Sequence, residues 1–266
     1  MTLDNTNIII TGGSGYLGEE MGSHLVSCGA NVINIGRRQP DFVSGSSSKH
    51  IFSDFYDKRS LDESLKAAIK EFGKVDVLVN NSFDFSTKTG FNTPKGRIEN
   101  ITQDIFFSGV KSGIYWPVRC CQLVGEKMKT YKEGNIVNVA SLYSYLVPDS
   151  RMYDNTDIFN PITYSISKHG LNALTKYLAS FWGKHGIRVN ALSPGTFPNT
   201  KIRKSKHSPN SVDDDDEFLR LLAKKCALGR VGVPSDLNSA LEYLVSKKSR
   251  ALTAANLTVD GGWSIL

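Results

Sequence analysis

Apolar residues along the chain form short continuous runs, and segments with helical spacing separate these runs. The apolar runs lie at 7–11, 32–35, 50–53, 75–80, 135–140, 187–192 and 256–260. A short apolar run is typical of a strand that is buried on both faces of a parallel sheet. Strands that alternate with helices indicate βαβ units. The pattern therefore predicts an α/β fold with one doubly wound parallel sheet and helices on both faces.

Helical spacing is clear in two places. Residues 19–28 follow the first apolar run and stop at Gly29, as helices often do. Near the C-terminus, the segment that starts with Pro234, Ser235 and Asp236 fits the beginning of another helix. Its apolar stripe consists of Leu237, Ala240, Leu241 and Leu244. We interpret this stripe as part of the hydrophobic core.

A glycine-rich turn joins the first predicted strand to the first predicted helix. Gly13, Gly15 and Gly18 form the pattern G-x-G-x-x-G. Glycines let the backbone approach a pyrophosphate, and a helix N-terminus offers N–H donors to it. A glycine-rich loop without a ligand is the alternative, but the strand-turn-helix context favours a dinucleotide site. The predicted cofactor contacts are Gly12, Ser14, Gly15, Tyr16, Leu17 and Gly18.

The end of the second predicted strand carries two arginines, Arg37 and Arg38. An acidic residue near this point would bind the ribose 2′-hydroxyl of NAD. Guanidinium groups instead match the geometry of a phosphate. We therefore expect the pair to bind the 2′-phosphate of NADP(H), with NAD(H) as the open alternative.

Tyr164 and Lys168 are four residues apart in a segment with helical spacing, so they share one helix face. A nearby ammonium favours the phenolate and would lower the pKa of Tyr164 from its usual value near ~10. The result would be a general acid/base that works near neutral pH. Taken alone, the pair also fits an amphipathic helix with an exposed lysine.

Seven ordered landmarks together resemble the short-chain dehydrogenase/reductase family over essentially the whole chain. They are the turn at 11–18, the pair at 54–55, the segments 75–82 and 135–141, the pair Tyr164 and Lys168, and the segments 187–195 and 257–262. The resemblance implies a single Rossmann-type domain, 1–266, and an oxidoreductase that acts on CH–OH donors. Tyr16 gives the turn a spacing closer to the family's extended, sugar-nucleotide branch.

The resemblance also implies roles for individual residues. Tyr164 would donate or accept the proton, Lys168 would lower its pKa and hold the nicotinamide ribose, and Ser141 would hydrogen-bond the reacting carbonyl oxygen. Such donors are needed because hydride transfer leaves charge on that oxygen. The further implied cofactor contacts are Asp54 and Phe55 at the adenine, Asn80, Asn81 and Ser82 after the fourth strand, Pro194, Gly195 and Thr196 at the nicotinamide, and Tyr164 and Lys168 themselves.

The chain departs from the family pattern at Gly109. Relatives usually carry an asparagine in the helix after the fourth strand, where it organises a proton relay through water. The best alignment places Gly109 at that position. Either a water or another polar group fills the gap, or the enzyme is slow, or the chain binds cofactor without turnover.

A second departure is the separation of Ser141 and Tyr164, which is wider than the family's usual dozen or so residues. We interpret 142–163 as a substrate-loop insertion over the pocket, with a solvated loop as the alternative. Its polar members suit a hydroxyl-rich ligand such as a sugar. These are Asp149, Arg151, Tyr153, Asn155, Thr156 and Asp157. A similar insertion occurs in a subgroup linked to nonulosonic (sialic-acid-like) sugar pathways.

The net charge of +6 invites a nucleic-acid interpretation, which the charge distribution argues against. A basic run at 201–207 is followed by an acidic run at 213–217, and no aromatic residues are interleaved as a nucleic-acid surface would require. The stretch 197–217 follows the Pro194-Gly195 turn, where relatives carry a mobile lid, so the resemblance implies a lid over cofactor and substrate here. Its basic half would attract anionic ligands.

Cysteine usage and hydropathy indicate in which cellular compartment the protein is expected. The four cysteines show no CxxC pair or zinc spacing, so no metal site is expected. Adjacent Cys120 and Cys121 fall on a segment with helical spacing, and we interpret them as small core side chains in a reducing compartment. No signal run or membrane span is visible, so a cytoplasmic protein without membrane partners is expected.

Three functional hypotheses remain. The first is an NADP(H)-dependent oxidoreductase that interconverts an alcohol and a carbonyl of a sugar or another polar hydroxylated molecule. The second is a dehydratase or epimerase with transient hydride transfer, which the turn at Tyr16 suggests. The third is a catalytically weak NADP-binding sensor or scaffold, which Gly109 suggests. The expected partners are a small-molecule substrate and further copies of the chain, because relatives pair the helix carrying Tyr164 in homo-dimers or homo-tetramers.

Overall fold

A computed structural model describes residues 2–153, 160–199 and 212–266. Within these ranges, seven strands form one sheet in the order β3-β2-β1-β4-β5-β6-β7, and every neighbouring pair is parallel. The strands are β1 (Asn7–Thr11), β2 (Asn31–Gly36), β3 (Ser48–Phe52), β4 (Val77–Asn80), β5 (Gly134–Val139), β6 (Ile187–Pro194) and β7 (Asn256–Val259). The predicted α/β sheet is confirmed.

Helices cover both faces of this sheet. They are α1 (Tyr16–Ser27), α2 (Lys58–Phe72), α3 (Gln103–Val110), α4 (Trp116–Tyr131), α5 (Ile162–Trp182), α6 (Val212–Lys224) and α7 (Asn238–Val245). A π-helical turn, Lys111–Tyr115, joins α3 to α4. Local caps explain some of these boundaries: the Asp57 carboxylate accepts a hydrogen bond from the Arg59 N–H at the start of α2.

Alternate residues of β1 point into two separate cores. Ile9 packs into a cluster with residues of α2, α4 and α5, whereas Ile8 and Ile10 pack into a cluster with residues of α1 and α7. This alternation follows from the two-residue period of a strand. Both faces of the sheet are therefore buried, as the continuous apolar runs predict.

The predicted core features are confirmed, and some boundaries move. Leu237, Leu241 and Leu244 are fully buried, and Cys120 and Cys121 are 1% exposed each. The first helix begins at Tyr16 rather than at residue 19, because Gly15 is extended and ends the turn. Among the described residues, no helix has both the length and the apolar character that a membrane crossing needs.

The strand order creates a crevice at the carboxyl ends of β1 and β4. The chain runs outward from β1 through β2 to β3 and then returns to place β4 on the other side of β1. Ligands of open α/β sheets bind at such a switch point. The glycine-rich turn follows β1 at this edge, and Ser141 lies two residues beyond the end of β5.

Candidate active site

The glycine-rich turn is held in shape from below by a buried asparagine. Asn34, on β2, is fully buried, and its Oδ1 accepts a 2.7 Å hydrogen bond from the Gly13 N–H. Gly12 has φ +70°, a left-handed conformation that favours glycine. The sequence prediction missed Asn34, although a polar residue inside an apolar strand is a visible signal.

A close approach explains why residue 18 is glycine. A Cβ atom at Gly18 would lie 2.3 Å from the Gly12 carbonyl oxygen and 2.9 Å from Nδ2 of Asn81. Helix α1 starts at Tyr16, so the amides of Tyr16, Leu17 and Gly18 belong to its first turn. A helix N-terminus of this kind suits a pyrophosphate, and the residues present fit a dinucleotide.

Residues at the end of β4 hold the glycine-rich turn in place through hydrogen bonds. Nδ2 of Asn81 donates to the carbonyls of Thr11 and Gly12 at 3.2 and 3.0 Å, and Oγ1 of Thr11 accepts from the Asn81 and Ser82 amides at 3.0 and 3.1 Å. Asn80 lies deeper: its Nδ2 donates to Oδ1 of Asn138 at 2.9 Å inside the sheet. Its side chain therefore orders β4 and β5.

On the adenosine side, the predicted contacts differ in accessibility. Arg37 and Arg38 follow β2 and are both exposed. Phe55 is 5% exposed, and its ring packs edge-on against Trp116 with 5.3 Å between ring centres. Only the backbone of Phe55 can therefore face an adenine. The Asp54 carboxylate accepts a 3.0 Å hydrogen bond from the Tyr56 N–H, which shapes this loop.

Two of the predicted catalytic residues, Tyr164 and Lys168, are on α5, and the third, Ser141, follows the end of β5. Lys168 is 5% exposed, and its Nζ donates a 2.8 Å hydrogen bond to the Val139 carbonyl, two residues before Ser141. The same Nζ lies 5.5 Å from the centre of the Tyr164 ring. Oγ of Ser141 accepts a 3.1 Å hydrogen bond from the Tyr143 N–H.

Burial sets the electrostatics of this group. Because the protein around Lys168 excludes water, desolvation lowers the pKa of its ammonium to about 7. A neighbouring anion stabilises a buried ammonium more strongly than it stabilises a solvent-exposed ammonium. The site is therefore prepared for negative charge close to Nζ.

Aromatic rings enclose Tyr164. Phe83, Phe91, Phe85 and Tyr143 lie with ring centres 5.1, 5.3, 5.8 and 6.3 Å from that of Tyr164. Phe85 remains 59% exposed. Together these four rings form what we call the aromatic wall. None of the four was among the site residues predicted from the sequence, although three phenylalanines within 83–91 were a signal.

Gly109 packs directly against helix α5. A Cβ atom at this position would lie 2.5 Å from Cβ of Thr163. The Gly109 carbonyl accepts hydrogen bonds from Oγ of Ser112 at 3.1 Å and from Oγ of Ser167 at 3.3 Å. A side chain does not fit here, and two serine hydroxyls surround the backbone instead.

The structure describes part of the predicted insertion at 142–163. Residues 154–159, which include the predicted Asn155, Thr156 and Asp157, lie outside the described residues. Asp149 accepts hydrogen bonds from Arg151 Nε at 2.9 Å and from Lys225 Nζ at 3.2 Å. The Arg151 guanidinium holds the pKa of Asp149 well below its usual range. These polar members bind one another and the segment after α6.

The loop after β6 lies against the end of β7. The Gly195 N–H donates to the Val259 carbonyl at 2.9 Å, and a Cβ atom at Gly195 would lie 2.4 Å from Cα of Asp260. The Thr196 carbonyl accepts from the Gly232 N–H at 2.9 Å. Within the predicted lid at 197–217, residues 200–211 lie outside the described residues, and α6 begins at Val212.

Known proteins match nearly the whole chain. A family model described as enoyl-(acyl carrier protein) reductase matches residues 17–264. A 7alpha-hydroxysteroid dehydrogenase of Bacteroides fragilis is 30% identical over 271 residues, which are 98% of this chain and 95% of that protein. A 2-dehydro-3-deoxy-D-gluconate 5-dehydrogenase of Dickeya dadantii is 27% identical over 262 residues, or 96% and 94% of the two chains.

A solved structure has the same fold as this chain. A short chain dehydrogenase from Leptospira borgpetersenii, crystallised with bound NAD+, superposes with a TM-score of 0.83. It is 28% identical in sequence, and the match covers 99% of this chain and 94% of that one.

Proposed function

The chain belongs to the short-chain dehydrogenase/reductase family, and on that premise we propose that Ser141, Tyr164 and Lys168 interconvert an alcohol and a carbonyl on a sugar or another hydroxylated ring, with NADP(H) as cofactor. The enzyme class follows from the family, whose members act on CH–OH donors with a nicotinamide dinucleotide. The residue roles, the choice of NADP(H) and the substrate class are our proposals.

Each proposed residue has a separate task in the reaction. The nicotinamide supplies or accepts the hydride when it is bound. In the reducing direction, Tyr164 donates its phenolic proton to the carbonyl oxygen, and the Ser141 hydroxyl donates a hydrogen bond to the same oxygen. Lys168 holds a cation near the Tyr164 ring and stabilises the phenolate that remains. In the oxidising direction, Tyr164 takes the proton from the alcohol.

The observation that carries this proposal is the buried position of Lys168 beside Tyr164. Nζ lies 5.5 Å from the centre of the Tyr164 ring and is fastened to the end of β5 by the Val139 carbonyl. A buried lysine of this kind is costly in free energy unless the site uses it. An amphipathic helix with a solvated lysine, the alternative from sequence, would leave Nζ in water.

The preference for NADP(H) rests on Arg37 and Arg38. Both side chains follow β2, where the family binds the adenosine ribose, and both are exposed to solvent. A 2′-phosphate would bind two guanidinium groups without competition from an acid. The relative from Leptospira borgpetersenii holds NAD+. The preference of this chain is therefore tested by comparing its affinities for NADPH and NADH.

The aromatic wall supports a ring-shaped substrate. Rings at Phe83, Phe85 and Phe91 stand beside Tyr164, and Phe85 exposes 59% of its surface. An aromatic surface of this kind stacks on the apolar face of a sugar ring while the sugar's hydroxyl groups stay in water. The named activities of the relatives include both a hydroxysteroid and a sugar-acid dehydrogenase, so the substrate panel contains both steroids and sugars.

Replacing Tyr164 with phenylalanine tests the proposed mechanism. Tyr164→Phe removes the proton donor and keeps the ring, so turnover of a keto-sugar or ketosteroid panel should fall by about 10²–10⁴-fold. NADPH binding, followed by its fluorescence, should stay within about twofold of the parent because the cofactor turn is untouched. The matched control is Tyr177→Phe, which changes an exposed tyrosine on the same helix.

The outcome separates the functional classes. Full activity of Tyr164→Phe on a true substrate would overturn the assignment of the proton donor. Conversion of a substrate without net change in NADPH absorbance would favour a dehydratase or epimerase. NADPH binding without turnover on any substrate would favour a weak sensor or scaffold, the second candidate, which the packing of Gly109 against Thr163 supports.

We also propose that α5 pairs with its copy in a second subunit. Beside its buried face, α5 exposes an apolar stripe at helical spacing. Its exposed members are Ile162, Ile166, Tyr177 and Phe181. The rings of Tyr177 and Phe181 stack with 5.5 Å between their centres. An exposed apolar stripe of this kind is typical of a subunit interface.

A cytoplasmic location is part of the same proposal. The four cysteines are free thiols, and adjacent Cys120 and Cys121 are both buried. Burial raises the pKa of the Cys121 thiol to about 12, which keeps it protonated and unreactive. Thiols that serve as core side chains are typical of a reducing compartment.

A further inference from the structure

Three potential metal ligands meet between α1 and α7. His24 is in the last turn of α1, Cys28 follows that helix, and Glu242 is on α7. Nε2 of His24 lies 3.1 Å from Oε2 of Glu242 and 3.5 Å from Sγ of Cys28. Sγ of Cys28 lies 3.8 Å from the same Oε2. All three residues are partly buried.

These distances match one face of a tetrahedral metal site. Zinc bonds of about 2.0–2.3 Å to nitrogen, oxygen and sulfur place neighbouring ligand atoms about 3.4–3.6 Å apart in a tetrahedron. The three observed separations, 3.1, 3.5 and 3.8 Å, lie within a few tenths of an ångström of that range. Small side-chain rotations are therefore enough to receive the ion.

The donor set selects the kind of metal. A thiolate, an imidazole and a carboxylate form a mixed set that suits Zn²⁺, whereas Mg²⁺ and Ca²⁺ require oxygen ligands. We propose that His24, Cys28 and Glu242 bind a zinc ion, with a water molecule or another donor as the fourth ligand. Among the described residues, this is the one cluster of three such side chains.

The two helices already contact each other beside the cluster and beneath it. Nδ2 of Asn238 on α7 donates to Oε1 of Glu20 on α1 at 2.7 Å. Beneath them, Met21 and Leu25 of α1 share a core with Leu241 of α7. The ligands are therefore held in place before an ion arrives, which reduces the entropy that binding must overcome.

The position of the cluster indicates a structural rather than a catalytic ion. Helix α1 begins at the glycine-rich turn and ends at Ser27, next to Cys28. With a rise of 1.5 Å per residue, about 18 Å separate the cluster from the cofactor turn. The ion would connect α1 to α7 at the amino ends of the strands, so it would raise the melting temperature and leave kcat unchanged.

Zinc titration of the full-length protein tests the site. Chelator-treated protein is titrated with Zn²⁺ in competition with a chromophoric chelator, and we expect one equivalent bound per chain. Cys28→Ser and Glu242→Gln should each weaken binding by more than about tenfold. The matched control is Cys226→Ser, which removes a thiol elsewhere in the chain and should bind zinc as the parent does. Co²⁺ should give a sulfur-to-metal charge-transfer band that Cys28→Ser abolishes.

Several results would overturn the proposal. They are the absence of saturable binding at one equivalent, equal binding by Cys28→Ser and the parent, or equal loss of binding in Cys226→Ser. Circular dichroism of the chelated variants shows whether each is folded, and His24→Gln is the second test if Cys28→Ser unfolds. Zinc binding does not depend on the cofactor or on Tyr164, so failure here would leave the proposed function intact.

Discussion

Nζ of Lys168 donates a 2.8 Å hydrogen bond to the carbonyl oxygen of Val139, the last residue of β5. This contact connects the middle of α5 to the strand that leads into Ser141. It therefore fixes the ammonium relative to both other members of the proposed catalytic group.

Replacing Lys168 with methionine should stabilise the cofactor-free protein. Burial lowers the pKa of Lys168 to about 7, whereas an unfolded lysine titrates near ~10.4. Between these values the unfolded state binds more protons, so the free energy of unfolding of the parent should rise with pH from about 7 to about 10. Lys168→Met should lose turnover, remove this pH dependence and gain about 1–2 kcal/mol at pH 7.

Thermal melts of the cofactor-free proteins at several pH values provide the measurement. The control is Lys176→Met, an exposed lysine on the same helix, which should leave both the melting temperature and its pH dependence unchanged. An identical pH dependence in Lys168→Met and the parent would contradict the prediction.

Replacing Arg37 and Arg38 with alanine should weaken NADPH binding selectively. The double variant loses two charge-assisted contacts to the 2′-phosphate, so its Kd for NADPH should rise by about 10–100-fold. The Kd for NADH should change less than about twofold, because NADH lacks that phosphate. Fluorescence titration measures both, and Arg59→Ala on α2, at an exposed salt-bridged arginine, is the control. Equal losses for NADPH and NADH would show that the arginines do not read the 2′-phosphate.

A substitution at Gly109 should destabilise the fold. Glycine inside a helix is normally worse than alanine by about 1 kcal/mol, so an unhindered Gly→Ala change would stabilise α3. The clash with Thr163, 2.5 Å from the new Cβ, should instead cost about 1–3 kcal/mol. Denaturant unfolding of Gly109→Ala shows whether the free energy of unfolding falls or rises. The control is Gly45→Ala, where a new Cβ has no neighbour within 4 Å.

This steric limit also bears on the proton relay. Asparagine is larger than alanine, so Gly109→Asn would disturb the contact between α3 and α5 before it could restore a relay. Stabilisation by Gly109→Ala would contradict the close packing, and Gly109→Asn would then become a usable test of the proton relay.

Charged substitutions on the exposed stripe of α5 should dissociate the proposed oligomer. Tyr177→Glu together with Phe181→Glu would place two carboxylates in an apolar interface, where burying a charge is costly. Light scattering after gel filtration should then report the monomer mass. Lys176→Glu, an exposed change beside the stripe, should keep the parent's mass. A monomeric parent would refute the interface outright.

The strands and the cofactor turn were predictable because their signals are local. A buried strand needs an apolar run, and a turn that approaches a pyrophosphate needs glycine, whatever lies elsewhere in the chain. The edge strand β3 was misplaced by two residues at its start for a related reason. It begins at Ser48, whose buried hydroxyl donates to the Phe42 carbonyl at 3.0 Å, so a polar residue there gives no apolar signal.

The sequence by itself determined the sheet, the glycine-rich turn and the shared helix face of Tyr164 and Lys168, because each depends on spacing within a few residues. Only the tertiary structure decided which distant residues meet. It placed the aromatic wall around Tyr164, set Gly109 against Thr163, and brought Glu242 to His24 across 218 residues of chain. Such contacts follow from how helices pack on the sheet, and no local pattern encodes them. Packing of α5 on the sheet also buries Lys168 beside Tyr164, whereas the sequence shows only that the two residues share a helix face.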